Sequence, residues 1–271
     1  MYKDFYQLHD NPFRLSPDPR YFLVSPGAKS ISDQLSYGLQ QGVGFMMLTG
    51  EVGVGKTSLL RYFLRNLNGN IERALIYNPN LENSEELLKF IMLDWGVRKK
   101  FSPHAKKVNL LIFLLRFLMD CNKKGNKFLL IIDESQALSD DLLEEVRLLS
   151  NFEVDDAKLL QILLIGQPEL KKKIDMSSWR QLRQRIAIKS VLFPLGKNEV
   201  GEYVRYRLAV AGTKANLFAP QAIKTIWRAS RGIPRLINLV AERSLIAGYI
   251  ASKREIGKKE VKMALKDLEL D

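Results

Sequence analysis

A glycine-rich segment that ends in lysine and threonine has the residue types and spacing of a loop that binds phosphates. Residues 50–57 read GEVGVGKT and fit the pattern G-x-x-x-x-G-K-[ST] without substitution. Glycines in such a loop allow backbone conformations that point successive N–H groups at phosphate oxygens. The helix predicted to follow adds the positive end of its dipole. The segment therefore predicts a binding site for a nucleoside triphosphate.

Each residue of this loop has an expected part in binding. Lys56 is expected to reach the β- and γ-phosphates, and the hydroxyl of Thr57 is expected to hold Mg²⁺. The backbone of the other positions forms the cradle for the phosphates. The predicted phosphate-binding residues are Gly50, Glu51, Val52, Gly53, Val54, Gly55, Lys56, Thr57 and Ser58.

Two carboxylates follow an apolar run further along the chain. Residues 128–132 read FLLII, as expected for a strand buried on both faces of a parallel sheet, and Asp133 and Glu134 come next. Open α/β sheets bind ligands at the carboxyl ends of their strands. Asp133 is expected to hold Mg²⁺, directly or through water, and Glu134 to orient or deprotonate the attacking water. Such a pair can also merely cap a helix, but the phosphate loop upstream favours a catalytic role.

Three further segments carry polar side chains that could act on the same phosphates. Gln167 follows the apolar run 159–165 and is predicted to bind the γ-phosphate or position water; the alternative is a glutamine satisfied by backbone. Arg183 and Arg185 are alternative candidates for an arginine finger that reaches a neighbouring subunit's γ-phosphate, which requires an oligomer. Arg235 opens a C-terminal helix and is predicted to reach the phosphates and couple hydrolysis to movement of that region.

The elements that must position these residues alternate between strand and helix over the first two thirds of the chain. This alternation predicts a parallel α/β sheet. The predicted strands are Phe45–Leu48, Arg73–Tyr77, Phe128–Ile132, Leu159–Ile165 and Ile186–Phe193. The predicted helices include Ser30–Gly42, Ser84–Trp95, Ser102–Cys121 and Asp140–Ser150.

The pattern changes near Gly196, where helices follow one another with no strand between them. Helix starts are marked by Asn198, Pro220 and Pro234. The predicted helices are Asn198–Ala211, Pro220–Ser230, Pro234–Ala251 and Lys258–Leu268. We therefore predict a phosphate-loop ATPase α/β domain over residues 1–195, with its N-terminal segment 1–29 near the nucleotide, and a small all-helical lid domain over residues 196–271.

Composition limits the class of protein. With 271 residues and 46% apolar content, the chain can bury a substantial core. A single cysteine, Cys121, excludes a disulfide within the chain and fits a reducing compartment. His9 and His104 are far apart and lack cysteine partners, so we expect no structural zinc site.

Targeting and membrane signals are weak. The first ten residues lack the pattern of a signal peptide, and the most apolar run, residues 110–119, falls short of the roughly 20 residues that span a membrane. We expect a cytoplasmic protein that does not span a membrane.

Positive charge is concentrated at the C-terminal end. Residues 171–271 contain 22 Lys and Arg against 9 Asp and Glu, whereas residues 1–170 contain 20 against 21. This asymmetry favours an anionic partner, such as double-stranded DNA, an acidic lipid surface or the nucleotide itself. The alternative is that these side chains are simply solvated.

Taken together, these motifs resemble those of AAA+ ATPases. GEVGVGKT, LLIIDE, LLIGQ, LRQRI and GIPR occur in that order. The segments NPFRLSPDPRYF, IIDESQALSDDLLEEVRLLSNFE, KLLQILLIGQPEL and RGIPRLIN are similar to the ExeA/GspA-type ATPases of general secretion pathways and their pilus-biogenesis relatives. The resemblance runs from about Tyr2 to Leu268. One departure is Ser135, which stands where alanine is usual.

The resemblance implies a fold, a cofactor and a set of roles. It implies an αβα sheet domain with a helical lid, and ATP bound between the subunits of a ring or filament. The implied roles are Mg²⁺ binding by Thr57 and Asp133, catalysis by Glu134, a sensor at Gln167, a finger at Arg183 or Arg185 and a second sensor at Arg235.

Three functions fit this sequence. The first is an ATPase that energises or regulates assembly of a secretion or pilus machine through protein partners. The second is a DNA-binding AAA+ regulator of transposition or replication that uses the basic C-terminal third. The third is a switch that holds ATP with little turnover.

Overall fold

The computed structural model describes residues 1–16, 18–67, 69–77, 79–97, 105–154 and 157–270. The chain divides into two units, each discontinuous in sequence. The sheet unit comprises Ser30–Gly50 and Phe63–Val191, and the helical unit comprises Met1–Lys29, Glu51–Tyr62 and Leu192–Asp271. The domain division at residues 195 and 196 stays a prediction.

Five parallel strands form the sheet of the sheet unit, as predicted. Their order is β2-β3-β6-β1-β7, and a separate two-stranded antiparallel hairpin is formed by β4 and β5. The strands are β1 (Phe45–Thr49), β2 (Ile71–Ile76), β3 (Lys127–Ile132), β4 (Glu153–Val154), β5 (Ala157–Lys158), β6 (Gln161–Gly166) and β7 (Ile186–Val191). Every residue of β1 and β6 is buried, as expected for central parallel strands.

The described residues form twelve α-helices and three single turns of 3₁₀-helix. The α-helices are α1 (Tyr2–Phe5), α2 (Pro26–Gln40), α3 (Lys56–Arg65), α4 (Ser84–Asp94), α5 (Lys107–Asn122), α6 (Asp140–Leu149), α7 (Pro168–Asp175), α8 (Arg180–Arg185), α9 (Lys197–Val210), α10 (Pro220–Ser230), α11 (Pro234–Ile250) and α12 (Lys258–Asp267). Ser102, the predicted start of α5, lies outside the described residues, and so does His104.

Helices cover both faces of the sheet. On one face, Phe45 and Leu130 share a core with Leu88 of α4 and Leu114 of α5. On the other face, Gly38 allows α2 to approach the sheet closely, because a Cβ there would lie only 2.3 Å from Ile188 Cδ1 and 3.0 Å from the sulfur of Met46. These layers form the predicted αβα arrangement.

The helical unit has its own apolar core. Helices α9 to α12 surround it, and the N-terminal segment adds three buried aromatic side chains, those of Tyr6, Phe13 and Tyr21. Two of the unit's helices begin with proline at the first helical position, where the missing N–H costs nothing. The four predicted C-terminal helices are thus confirmed, with ends within one residue of the predicted ones.

Within the described ranges, none of the helices combines the length and apolar character needed to cross a membrane.

Candidate functional site

The carboxyl ends of three neighbouring strands bring the first group of predicted residues to one edge of the sheet. Strand β6 lies between β3 and β1. Thr49 is in register with Gly166, and the N–H of Gly50 donates to the Gly166 carbonyl at 3.2 Å. Asp133 directly follows β3, and Gln167 directly follows β6. The start of the phosphate loop, the acid pair and Gln167 therefore share the edge where parallel sheets bind ligands.

Hydrogen bonds from backbone N–H groups hold the acid pair in place. Asp133 is 3% exposed, and its N–H donates to the carbonyl of Ile76 at 2.8 Å. Its Oδ1 accepts from the N–H of Glu134 at 2.9 Å. Glu134 has φ 53° and ψ 35°, a left-handed conformation uncommon outside glycine. Ser135 anchors this turn, because its hydroxyl donates to the carbonyl of Ile132 at 2.6 Å.

Gln167 contacts Glu134, and a second glutamine joins them. The Nε2 of Gln167 donates to Glu134 Oε2 at 3.0 Å. The Nε2 of Gln136 donates to the same oxygen at 2.6 Å, and its Oε1 accepts from the N–H of Gln167 at 3.1 Å. Gln136 was missed by sequence reasoning. Its position two residues after the acid pair was the only available signal.

Residues 51–57 of the phosphate loop lie in the helical unit, and the loop has the expected backbone. Gly53 and Gly55 have φ of +78° and +107°, values that a side chain would penalise. Helix α3 begins at Lys56, so its first backbone N–H groups and the positive end of its dipole lie at the loop. Lys56 is 6% exposed, and its Nζ donates to the carbonyl of Glu51 at 3.1 Å. The loop thus presents backbone donors and one buried ammonium group.

The remaining loop residues differ in exposure. Val52 is 53% exposed, whereas Val54 is buried at 5%. Thr57 and Ser58 are half-buried in the first turn of α3. Thr57 directly follows Lys56 in this turn, as the motif requires.

Arg235 lies directly against the loop. Its N–H donates to the carbonyl of Gly53 at 3.2 Å, and a Cβ added to Gly53 would lie 2.8 Å from the Cβ of Arg235. Only glycine at position 53 therefore permits this close approach. The Arg235 side chain is exposed, and its guanidinium has no hydrogen bond or ion pair with any residue in the described part of the chain.

The two candidate finger arginines lie in α8, near the C-terminal end of the sheet unit. Arg185 is exposed and donates to Ser150 Oγ at 3.0 Å and to the side-chain oxygen of Asn151. Arg183 is half-buried and donates to the carbonyl of Asp175 at 3.1 Å. Among the described residues, neither arginine hydrogen-bonds to Glu134 or Gln167, and the finger role stays a prediction.

The N-terminal segment lies in the same unit as the phosphate loop. Its Phe22 ring is 5.7 Å from the ring of Tyr62 in α3, the helix that follows the loop. Tyr21 is buried against the guanidinium of Arg207, whose carbon lies 4.9 Å from the ring centroid. Contact of residues 1–29 with a nucleotide stays a prediction.

Comparisons with known protein families and sequences give two matches. The family model described as AAA domain matches residues 39–174. General secretion pathway protein A of Aeromonas hydrophila is 41% identical over 267 residues, which cover 97% of this chain and 48% of that protein. The chain thus spans about half the length of this curated relative.

Solved structures share the fold at low identity. The ORC2 protein of Aeropyrum pernix, in ADPNP-ADP complexes, matches with a TM-score of 0.68 and 16% identity, over 94% of this chain and 71% of that chain. Drosophila ORC bound to DNA matches with a TM-score of 0.70 and 17% identity, over 98% of this chain and 65% of that chain.

Proposed function

Because this chain belongs to the AAA ATPase family, we propose that it binds and hydrolyses ATP as an oligomer and so energises or regulates assembly of a secretion or pilus machine. The phosphate loop carries this proposal. Its sequence fits the motif without substitution, it continues directly from β1, and β1 ends beside β6, the strand that Gln167 follows.

Binding of the triphosphate is assigned to the loop and to Arg235. The glycine-rich backbone and the start of α3 supply N–H donors for phosphate oxygens. Lys56 supplies a positive charge for the β- and γ-phosphates. Arg235 supplies a second one, since its backbone is fixed at Gly53 while its guanidinium is exposed.

Mg²⁺ binding is assigned to Thr57 and Asp133. A hydroxyl and a carboxylate are oxygen ligands, which suit this hard cation. The described residues contain no group of three or more His, Cys, Asp or Glu side chains that could enclose a metal. That agrees with the usual Mg²⁺ site, in which one or two protein oxygens are completed by phosphates and water. The bound ion would neutralise charge that develops on the phosphates.

Hydrolysis is assigned to Glu134 and Gln167. Glu134 accepts a hydrogen bond from, or deprotonates, the attacking water, which is the role of a general base. Gln167 donates from its side chain to Glu134 at 3.0 Å, and we also assign to it binding of the γ-phosphate. Arg183 or Arg185 of a neighbouring subunit would stabilise the transition-state charge, and this requires the oligomer.

The biological process is proposed from the relative in Aeromonas hydrophila, whose name places it in general secretion. We propose that this chain acts in the cytoplasm on protein partners of such a machine. The single cysteine agrees with a reducing compartment.

A second candidate function is a DNA-binding regulator. The excess of 22 Lys and Arg over 9 Asp and Glu in residues 171–271 favours it, because such charge can neutralise DNA phosphates. The solved Drosophila ORC structure of the same fold contains DNA.

The test of the proposed function measures ATP binding and phosphate release over a range of protein concentrations. We expect binding, hydrolysis that stops when Mg²⁺ is chelated, and a rate per molecule that rises with protein concentration. Absence of ATP binding would contradict the proposal. Binding to duplex DNA, measured at 50 and 200 mM salt, separates the two candidates, because phosphate contacts predict a steep loss of affinity at the higher concentration.

A further inference from the structure

Gln136 joins the two residues to which hydrolysis is assigned. It lies in the 3₁₀ turn Ser135–Ala137, directly after Glu134. Its amide nitrogen is 2.6 Å from Glu134 Oε2, and its amide oxygen is 3.1 Å from the backbone nitrogen of Gln167. One side chain therefore links the end of β3 to the end of β6.

The orientation of this amide is set by its partners. The N–H of Gln167 is a donor and needs an acceptor, and Gln136 Oε1 is that acceptor. The other end of the amide, which carries two N–H groups, must then face the carboxylate of Glu134. Hydrogen bonds to an ionised carboxylate are stronger than those between neutral groups, so the arrangement is favourable at both ends.

The surrounding backbone leaves room for this link. Glu134 has φ 53°, which turns the chain so that the side chain two residues later returns to the carboxylate. Gly166 leaves space for the amide, because a Cβ there would lie 2.8 Å from Gln136 Oε1 and 2.9 Å from Leu170 Cβ. Any larger residue at position 166 would displace Gln136 or Leu170.

The two oxygens of Glu134 differ in their contacts. Oε2 accepts from Gln136 at 2.6 Å and from Gln167 at 3.0 Å, which occupies both of its lone pairs. Oε1 makes no hydrogen bond with the residues that the structure describes. One oxygen is thus anchored, and the other is available to accept a proton or hydrogen bond.

We propose that Gln136 is a positioning residue that anchors Glu134 Oε2, so that Oε1 is the oxygen that acts on the attacking water. This inference rests on the proposed ATP hydrolysis. When Gln167 binds the γ-phosphate instead of Glu134, Gln136 is the remaining anchor of the carboxylate. Its loss lets the base rotate away from the reacting water, and small misplacements of this kind slow reactions strongly.

The test replaces Gln136 by methionine, which keeps the length of the side chain but lacks the amide. For Gln136→Met we expect kcat to fall about 10- to 100-fold, the range expected from a misplaced catalytic group. We expect KM, the Kd for ATP and the unfolding temperature to stay near wild type, since the variant leaves the phosphate loop and the core intact. The matched control is Gln41→Met, an exposed glutamine of the same unit, which should leave kcat unchanged.

A second measurement separates positioning from a general structural effect. In a Glu134→Gln background, Gln136→Met should change the residual kcat less than about twofold, because a residue that acts through Glu134 has no carboxylate to position. An equal loss in both backgrounds would overturn the inference. So would an unchanged kcat, a faster turnover or a change in KM alone in the single variant. A wild-type chain that hydrolyses no ATP would instead overturn the proposed ATPase and this inference together.

Discussion

The helical unit carries the groups assigned to binding, whereas the sheet unit carries most of the groups assigned to hydrolysis. Lys56 and Arg235 are cations of the helical unit, and residues 51–55, directly before α3, supply backbone donors. Glu134 and Gln167, the carboxylate and the amide assigned to hydrolysis, belong to the sheet unit. The difference implies that variants in the two units should differ in kind: those of the helical unit should weaken ATP binding, and those of the sheet unit should slow turnover while ATP stays bound.

The largest expected effect is that of Lys56→Ala. This change removes the buried ammonium group assigned to the β- and γ-phosphates, and we expect ATP binding to be lost. Calorimetry with ATP would measure it. The control is Lys214→Ala, an exposed lysine of the same unit, which should bind as wild type. Undiminished affinity in Lys56→Ala would remove the phosphate-loop assignment.

The finger arginines of the sheet unit should affect turnover alone. We expect Arg183→Ala or Arg185→Ala to slow hydrolysis by about 10³-fold or more, as loss of an arginine finger does, with ATP affinity of the monomer unchanged. Arg180→Ala, an exposed arginine in the same helix, is the control. A wild-type rate per molecule that does not depend on protein concentration would contradict a finger that acts between subunits.

Glu134→Gln should keep ATP bound and slow its hydrolysis. The amide cannot serve as a general base, so we expect a loss of about 10²-fold or more in kcat at unchanged ATP affinity. Single-turnover phosphate release would measure it. Glu169→Gln, at an exposed position of the same unit, should turn over ATP normally. Normal turnover in Glu134→Gln would place the base elsewhere.

Arg235→Ala sharpens the comparison, because this residue belongs to the helical unit but is also predicted to be a sensor. We expect a loss of ATP affinity of about tenfold, the scale of one charge-assisted contact, and a slower turnover. Arg228→Ala, exposed in α10, is the control. Slower turnover with full ATP affinity would show that the division of roles between the units is wrong for Arg235.

The sequence predicted most strands and helices from local patterns. Runs such as residues 128–132 are apolar throughout, and prolines mark two helix starts, so strands and helices could be read locally. The hairpin of β4 and β5 was not predicted, because strands of two residues are too short to leave a periodic signal. The contact of Gly53 with Arg235 joins residues far apart in sequence, and the sequence predicted only that Arg235 reaches the phosphates.

The candidate site shows the same limit. The residue types of Lys56, Asp133 and Glu134 are dictated by their chemistry, and motif spacing predicted them. Gln136 acts through a left-handed turn at Glu134, and nothing in a single sequence marks a non-glycine residue for that conformation. Positioning residues of this kind are found from coordinates.

A second carboxyl, that of Glu242 in the helical unit, tests whether such an arrangement always indicates a catalytic group. Its Oε1 accepts from the hydroxyl of Tyr2 at 2.6 Å and from Asn11 Nδ2 at 3.0 Å, much as Glu134 Oε2 accepts from two amides. Its other oxygen is buried without a hydrogen-bond partner in the described part of the chain. Burial raises the pKa of Glu242 above its ordinary value, despite the hydrogen bonds from Tyr2 and Asn11 that lower it.

This raised pKa predicts a structural role that is visible in stability and not in turnover. The folded state holds the proton of Glu242 more tightly than the unfolded state, so the protonated form stabilises the fold at low pH. That contribution is lost as pH rises from about 4.5 through the raised pKa. Glu242→Gln should remove this dependence, so its free energy of unfolding should gain on wild type as pH rises. We expect less than about 1 kcal/mol, since water screens a partly exposed group.

Urea unfolding between pH 4 and 8 would measure the change, with Glu255→Gln, exposed in the same unit, as the control. ATP turnover should stay within about twofold of wild type, because the hydrogen bonds of Glu242 within the described residues are to Tyr2 and Asn11 of the N-terminal segment. A large loss of turnover in Glu242→Gln at unchanged stability would make this carboxyl part of the site. The difference between Glu134 Oε1, which is available to accept a hydrogen bond, and the buried second oxygen of Glu242 would then not separate a catalytic carboxylate from a structural one.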